Sequence, residues 1–278
     1  MAKIKKPIKY IGLVLIAAVF LFPLIFMLAS SFMSSSEISR ALNFMDESFK
    51  KVKLIPDMFS AEQYYQVFFR RPEYLQRFWN SVIITLPTTL IQVVVSAMAA
   101  FAFAKLRFPL RDKLFFVYII LLILPIQVTL VPNYIVLDKL GLLNTFASVI
   151  LPGAFSAFGI CLLRQSITYI SDSSIEAARM DGASYFMIFT RIILPQIRGG
   201  LVTLTLLTFI DSWNNIEQPM IYFSDTAMYP LSVSISDIAQ NDFGVVYACG
   251  VMFLIPPILI YMYGEKDIKS PFTSADKL

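Results

Sequence analysis

Histidine is absent from all 278 residues, which excludes Ser-His-Asp triads, His-containing metal sites and His proton relays. Cysteine is scarce. Cys161 and Cys249 both fall inside apolar runs, so they read as small buried hydrophobes rather than a disulfide or metal pair, and they say nothing of the redox compartment. Charge is thin as well: 15% of residues are charged against 57% hydrophobic, with a mean hydropathy of +0.69, whereas soluble domains carry roughly 25% charged residues. The solvent for most of this chain is therefore lipid. No G-x-x-x-x-G-K-[ST] run occurs, so the chain lacks a P-loop to cradle nucleotide phosphates and must take energy from another subunit. The net charge of +4 does not point to nucleic acid, because the basic residues sit in short clusters between apolar runs, as membrane topology requires.

What is present is a set of long apolar runs. About 20 mostly apolar residues cross the hydrocarbon core as a helix, and six candidates lie near 10–31, 80–104, 113–134, 145–164, 197–222 and 244–264. Lys3, Lys5, Lys6 and Lys9 precede the first, but its apolar run is longer than the core of a signal peptide, so it reads as a retained helix. The expected organisation is an N-terminal segment with the first helix over 1–31, an extracytoplasmic loop over 32–79, a five-helix core over 80–264 and a tail over 265–278.

Basic residues give the orientation. Fifteen of the 23 fall in the N-terminus, in the second-to-third connection (Lys105, Arg107, Arg111, Lys113), in the fourth-to-fifth connection (Arg164, Arg179, Arg191, Arg198) and in the tail (Lys266, Lys269, Lys277). The short connections on the other side hold Lys139, and the stretch 224–243 carries acids alone: Asp225, Asp237 and Asp242. Seven more basic residues, mixed with acids, sit in the long 32–79 loop, which weighs less in the rule. Lys and Arg concentrate on the cytoplasmic side, so both termini are expected inside.

The fourth-to-fifth connection, 165–196, is patterned as helix, turn, helix. Ser173 with Glu176 three residues on has the form of a capping box. Gly182 suits the left-handed position that ends such a helix, and Ser184 can cap the next. Ile175, Ala178 and Gly182 fall on or near one face, where small side chains would admit another protein's backbone. Capping alone would account for Glu176; a docking role is the alternative, and the two are compatible.

Glu176, Ala177 and Ala178, then Gly182, Ile192, Leu194 and Pro195, resemble without a gap the EAA signature of ABC-importer permeases. The likeness runs from about Phe78 to Ile235 and is similar to the maltose-type carbohydrate permeases, specifically the six-helix partner. It is carried by Phe78-Trp79-Asn80-Ser81, Ala99 to Ala104, Leu140-Gly141-Leu142-Leu143-Asn144-Thr145, Phe158 to Gln165 and Asp181 to Ser184. It lapses at the tail, where Gly264-Glu265-Lys266-Asp267 replaces the Arg-Tyr-Phe and Gly-Leu-Thr segment of relatives. The resemblance implies an all-α membrane protein of six transmembrane helices with a cytoplasmic coupling loop, the type I importer permease fold. It also implies that Glu176, Ala177, Ala178, Asp181 and Gly182 dock on a separate cytoplasmic ATPase. The same resemblance implies a second homologous permease and an extracytoplasmic solute-binding protein. This chain itself would hold no cofactor, with ATP and magnesium bound by the ATPase.

Asp211, Asn215 and Gln218 are spaced four and three residues apart and would share one stripe of a continuous fifth helix. Polar groups at that depth face a wet path or a neighbouring helix. Asn214, Asn215 and Gln218 are therefore expected to line the path of a sugar, with Trp213 as an aromatic platform nearby; contact between helices, or Trp213 in the interfacial belt, would explain them as well. Pro23, Pro87, Pro125, Pro132, Pro256 and Pro257 lie in or beside the spans and can kink them. Asp225, Thr226 and Tyr229 form a turn-rich outer stretch that, by resemblance, contacts the binding protein; a solvated connector is the alternative. An ion-coupled transporter would need buried carboxylates in several spans, and an enzyme would need a nucleophile with its base; the sequence has neither. The expected protein is a non-catalytic, multi-pass permease of a prokaryotic cell membrane, for a sugar or oligosaccharide or else another solute.

Overall fold

A computed structural model describes residues 2–42, 55–241 and 243–275. Asp242, Lys277 and residues 43–54 of the expected outer loop lie outside the described residues. No strand occurs among those described. Four helices are long and apolar enough to cross a membrane, or up to six when each of two bent pairs counts as one span. The four contain Tyr10–Ser30, Pro72–Lys105, Ala147–Thr168 and Gly244–Asp267, close to four of the expected runs. The C-terminal helix, Phe243–Ala275, runs through Pro256 and Pro257 into what the sequence suggested was a polar tail.

Three runs differ from the expectation of continuous spans. The third divides into Arg111–Leu121 and Ile126–Lys139, bent by 107°. Pro125 stands at the start of the second piece with extended backbone, and a proline disfavours helix at the residue before it, so the chain turns there. The fourth opens at residues 154–156 between the helices Ala147–Gly153 and Ala157–Thr168, where Ser156 has extended backbone and caps the second piece. The fifth run is helical over Arg198–Trp213, opens at Asn214 to Ile216 and resumes as Glu217–Tyr222. Before it, the Tyr185–Gln196 helical stretch joins the Arg198–Trp213 helix at an angle of 80°. Pro87 and Pro132, by contrast, lie inside unbroken helices.

The chain divides into two compact units, residues 1–78 with 234–255, and residues 79–233 with 256–278. In the first, Val14, Val19 and Phe20 of the N-terminal helix are 66%, 71% and 74% exposed. That is the pattern of a helix whose solvent is lipid. Phe26 meets Tyr247 edge-on with ring centroids 6.0 Å apart, and the buried Gln63 amide donates to the Met33 carbonyl and Ser35 Oγ at 3.5 and 3.1 Å.

The second unit holds the larger core. Ala97, Ala100 and Phe101 of the Pro72–Lys105 helix pack with Leu163, Ile167, Ile188, Ile193, Ile197 and Leu204. Helices approach closely there. A Cβ on Gly159 would sit 2.6 Å from Ser96 Oγ, so a small residue is required at that crossing. Cys249, in the first unit, is buried and Cys161 half-buried, and neither forms a disulfide among the described residues.

Candidate functional site

The 165–196 loop is a helix-turn-helix anchored by its own isoleucines. Its first helix, Asp172–Met180, starts one residue after Ser171. This corrects the expected capping box: Ser173 lies inside the helix with its hydroxyl 2.6 Å from Ser171 Oγ, and Glu176 stands a full turn into it, exposed. The C-terminus forms as the sequence indicated. Gly182 has φ +82, its N–H donates to the Arg179 carbonyl at 3.0 Å, and the Ala183 N–H donates to the Ala178 carbonyl at 2.9 Å. These two bonds are a Schellman closure. Ser184 Oγ then accepts from the Met187 N–H at 3.2 Å, capping the next helix.

The face bearing Ile175 turns inward, with Ala178 half-buried at its edge. Ile175 is 8% exposed and belongs to the core of its own unit, with Ala178 and Ala183 packed against it. Residues at a 100° step on the other side of the helix point outward: Glu176, Ala177 and Asp181 are exposed, and Met180 is 88% exposed. Spacing alone did not single out this methionine, exposed between Arg179 and Asp181. A tether fixes the loop from the other end. Lys105, the last residue of its helix, donates from Nζ to the Ile170 carbonyl and to Asp172 Oδ1, both at 2.6 Å. This hydrogen bond and the ammonium charge, with Arg107 adding less, hold the Asp172 carboxyl below the usual carboxylate range.

A cavity of about 1080 Å³ opens in the second unit. Asn214, Asn215 and Gln218 all line it, as do Asp211, Ser212 and Glu217. The single helical stripe expected for Asp211, Asn215 and Gln218 does not exist, since the helix ends at Trp213; the break itself gathers these groups around the cavity. Asn215 Nδ2 donates to Gln218 Oε1 at 2.8 Å, and Asn215 Oδ1 accepts from the Gln218 N–H at 3.3 Å. This pair therefore closes the start of the Glu217–Tyr222 turn. Asn214, which lines the cavity, donates from Nδ2 to the Ile210 carbonyl at 2.8 Å. Gln218 is 7% exposed.

Trp213 does not act as a platform: it is 1% exposed and stacks on Phe209 with centroids 5.4 Å apart. The aromatic walls are Phe155 and Phe158, beside Thr88, Gln92, Asn133 and Thr208. Gln92 Nε2 donates to Thr208 Oγ1 at 2.9 Å. Sequence reasoning missed these residues because they come from different helices and share no spacing.

The stretch from Asp225 to Tyr229 is held rigidly. Asp225 Oδ1 accepts from the Ala227 N–H at 2.9 Å and caps a 3₁₀ turn over Thr226–Met228. Asn144, in a left-handed conformation at φ 57, accepts with Oδ1 from the Ser224 and Asp225 N–H groups at 3.0 and 3.1 Å. Asn80 Nδ2 donates to the Ala227 and Tyr229 carbonyls at 2.7 and 3.2 Å. Asp225 and Thr226 are exposed, whereas Tyr229 is half-buried. Asn80 and Asn144 had carried only resemblance in the sequence; here they shape this loop.

The profile of the family described as binding-protein-dependent transport system inner membrane component matches residues 92–263. The chain belongs to that family. Its members are membrane-spanning permeases rather than catalysts, so the cavity and the loop belong to a multi-pass permease subunit. Among individual relatives, the chain is 34% identical over 209 residues to the sn-glycerol-3-phosphate transport system permease protein UgpE of Salmonella typhi, covering 72% of this chain and 74% of that one. It is 26% identical over 261 residues to the arabinooligosaccharides transport system permease protein AraQ of Halalkalibacterium halodurans, covering 92% and 90%. A crystallised bacterial ABC transporter involved in the import of the acidic polysaccharide alginate superposes with a TM-score of 0.79 at 24% identity, covering 95% of this chain and 96% of that one. That likeness shows the shared fold of an ABC type I permease.

Proposed function

We propose that this permease forms one half of the translocation path of a carbohydrate ABC importer, with a second homologous permease, ATPase chains that bind ATP and magnesium, and an extracytoplasmic solute-binding protein. The cavity walled by Asn214, Gln218, Phe155 and Phe158 carries this reading: amides hydrogen-bond hydroxyls, and aromatic faces cover the apolar side of a sugar ring. Relatives named for arabinooligosaccharides and sn-glycerol-3-phosphate transport support a carbohydrate or polyol cargo. A structural neighbour at 13% identity, crystallised with an alginate pentasaccharide-bound periplasmic protein, bears on assembly. Both termini lie in the cytoplasm, so the 165–196 loop faces the ATPase. Its outward face of Glu176, Ala177, Met180 and Asp181 docks there, with Gly182 closing the helix and the Lys105 tether relaying the motion to the core. ATP-driven closure then switches access to the path from one side to the other. Asp225, Thr226 and Tyr229 meet the binding protein.

The test is uptake of radiolabelled arabinotriose into cells bearing the complete importer. Asn214→Ala with Gln218→Ala is expected to raise the half-saturating concentration by about tenfold, the loss of one or two neutral hydrogen bonds at about 0.5–1.5 kcal/mol each. Unaltered uptake in the double variant would remove these side chains from the path.

A further inference from the structure

The cavity carries charge of one sign. Of the side chains that line it, Asp211 and Glu217 are acidic and none is basic. Neither carboxylate forms an ion pair among the described residues; Glu217 Oε1 instead accepts from the neutral Gln127 Nε2 at 3.1 Å. Both line the cavity with more than a third of their surface exposed, and they flank the break that carries Asn214. The remaining polar lining consists of hydroxyl and amide side chains, Gln92, Asn133 and Ser212 among them, and is uncharged. Gln218 is buried, its oxygen is taken by Asn215, and its Nε2 has no partner among the described residues, so a donor points to the cavity for a hydroxyl oxygen.

Resting on the carbohydrate reading above, we infer that Asp211 and Glu217 are specificity-determining residues that exclude anionic solutes, so that the cargo is an uncharged or cationic sugar or polyol. The charge of the wall sets the sign of this selection, because a solute bearing a carboxylate or phosphate enters a low-dielectric space beside two like charges with no cation to offset them. At a separation of about 8 Å and an effective dielectric of about 20, one such repulsion already exceeds a tenfold discrimination. Relatives with sn-glycerol-3-phosphate or alginate in their names handle anions, so the selection divides this chain from part of its own family.

Two measurements on the intact importer test the inference. In a Cys161→Ala, Cys249→Ala background, Ser212→Cys places one thiol on the cavity wall. Its reaction rates with a trimethylammonium-bearing and a sulfonate-bearing methanethiosulfonate are each divided by the rate with a free small thiol. The normalised cation-to-anion ratio is expected to be about tenfold or more and to fall toward one with Asp211→Asn and Glu217→Gln. The uptake ratio of arabinotriose to sn-glycerol 3-phosphate is expected to fall by about tenfold in the same double variant. A normalised ratio at or below one in the parent, or an uptake ratio unmoved by the double substitution, overturns the inference. If the thiol ratio behaves as expected and the complete importer drives uptake of neither solute nor of other carbohydrates, the carbohydrate reading fails and takes the cargo assignment with it, while the measured potential of the wall stands.

Discussion

The Lys105 side chain is 6% exposed, whereas that of its partner Asp172 is 77% exposed. A nearly buried cation needs acceptors, and this one has two: the Ile170 carbonyl and Asp172 Oδ1. Removing the carboxylate leaves a charge that burial penalises, so the first turn of the loop helix would pull away from the membrane helix. Asp172→Ala is expected to speed amide hydrogen exchange over Asp172–Met180 in the neutral range, with Lys105→Met giving the same pattern. The sign of the pH effect follows from the lowered carboxyl pKa. Its contribution is complete above the ordinary carboxylate range and disappears as pH falls through the folded value, once Asp172 takes a proton. The difference between wild type and Asp172→Ala should therefore shrink in acid and persist toward neutrality. A difference constant across that range would mean that the bridge does not hold the loop.

At the scale of one element, the turn of the coupling loop depends on Gly182 and Ser184 in separable ways. A β-branched side chain at φ +82 costs about 1–2 kcal/mol or more, and no neighbouring atom within 4 Å of the added Cβ could relieve or worsen it. Gly182→Val should reduce co-purification of the ATPase with this permease while leaving the membrane core intact. Ser184→Ala should cost about 1 kcal/mol and expose the Met187 amide to exchange, whereas Ser173→Ala, outside any cap, should leave exchange unchanged. Equal effects of the two serine substitutions would contradict the observed caps. Gly182 and Ser184 were legible from sequence because each acts on atoms within three residues of itself. Ser173 misled for the same local reason: its spacing to Glu176 fits a capping box, but packing of Ile170 and Ile175 into the core starts the helix earlier. Likewise, the apolar runs disclosed the spans, but hydropathy could not show that Pro125 bends one of them or that Asn214 to Ile216 open another. The cavity residues Thr88, Gln92 and Asn133 gave no signal because a site assembled from several helices has no period in the chain.

Across the whole molecule, orientation is the property on which the proposed roles of the 165–196 loop, the cavity mouth and the 224–230 loop all depend. Its physical basis is the bias of Lys and Arg toward the cytoplasmic side. Lys105, Arg107 and Arg111 fall on the same side as the 165–196 loop if the bent pair from Arg111 to Lys139 counts as one span. The Lys105 bond to Asp172 requires that placement by direct contact. Geometry and charge thus agree for one face, while Asp225 and Thr226 are expected on the other. With both native cysteines replaced by alanine, Ser173→Cys and Thr226→Cys each present an exposed thiol. A membrane-impermeant maleimide should label Thr226→Cys in right-side-out vesicles and Ser173→Cys only in inverted ones. Labelling of both from one side would place the loop and the 3₁₀ turn on the same face, leaving an odd number of crossings impossible between them. The 197–222 region would then have to be a re-entrant hairpin entered at the 80° bend and left at the Asn214–Ile216 opening, rather than a span, and the cavity would face one compartment alone.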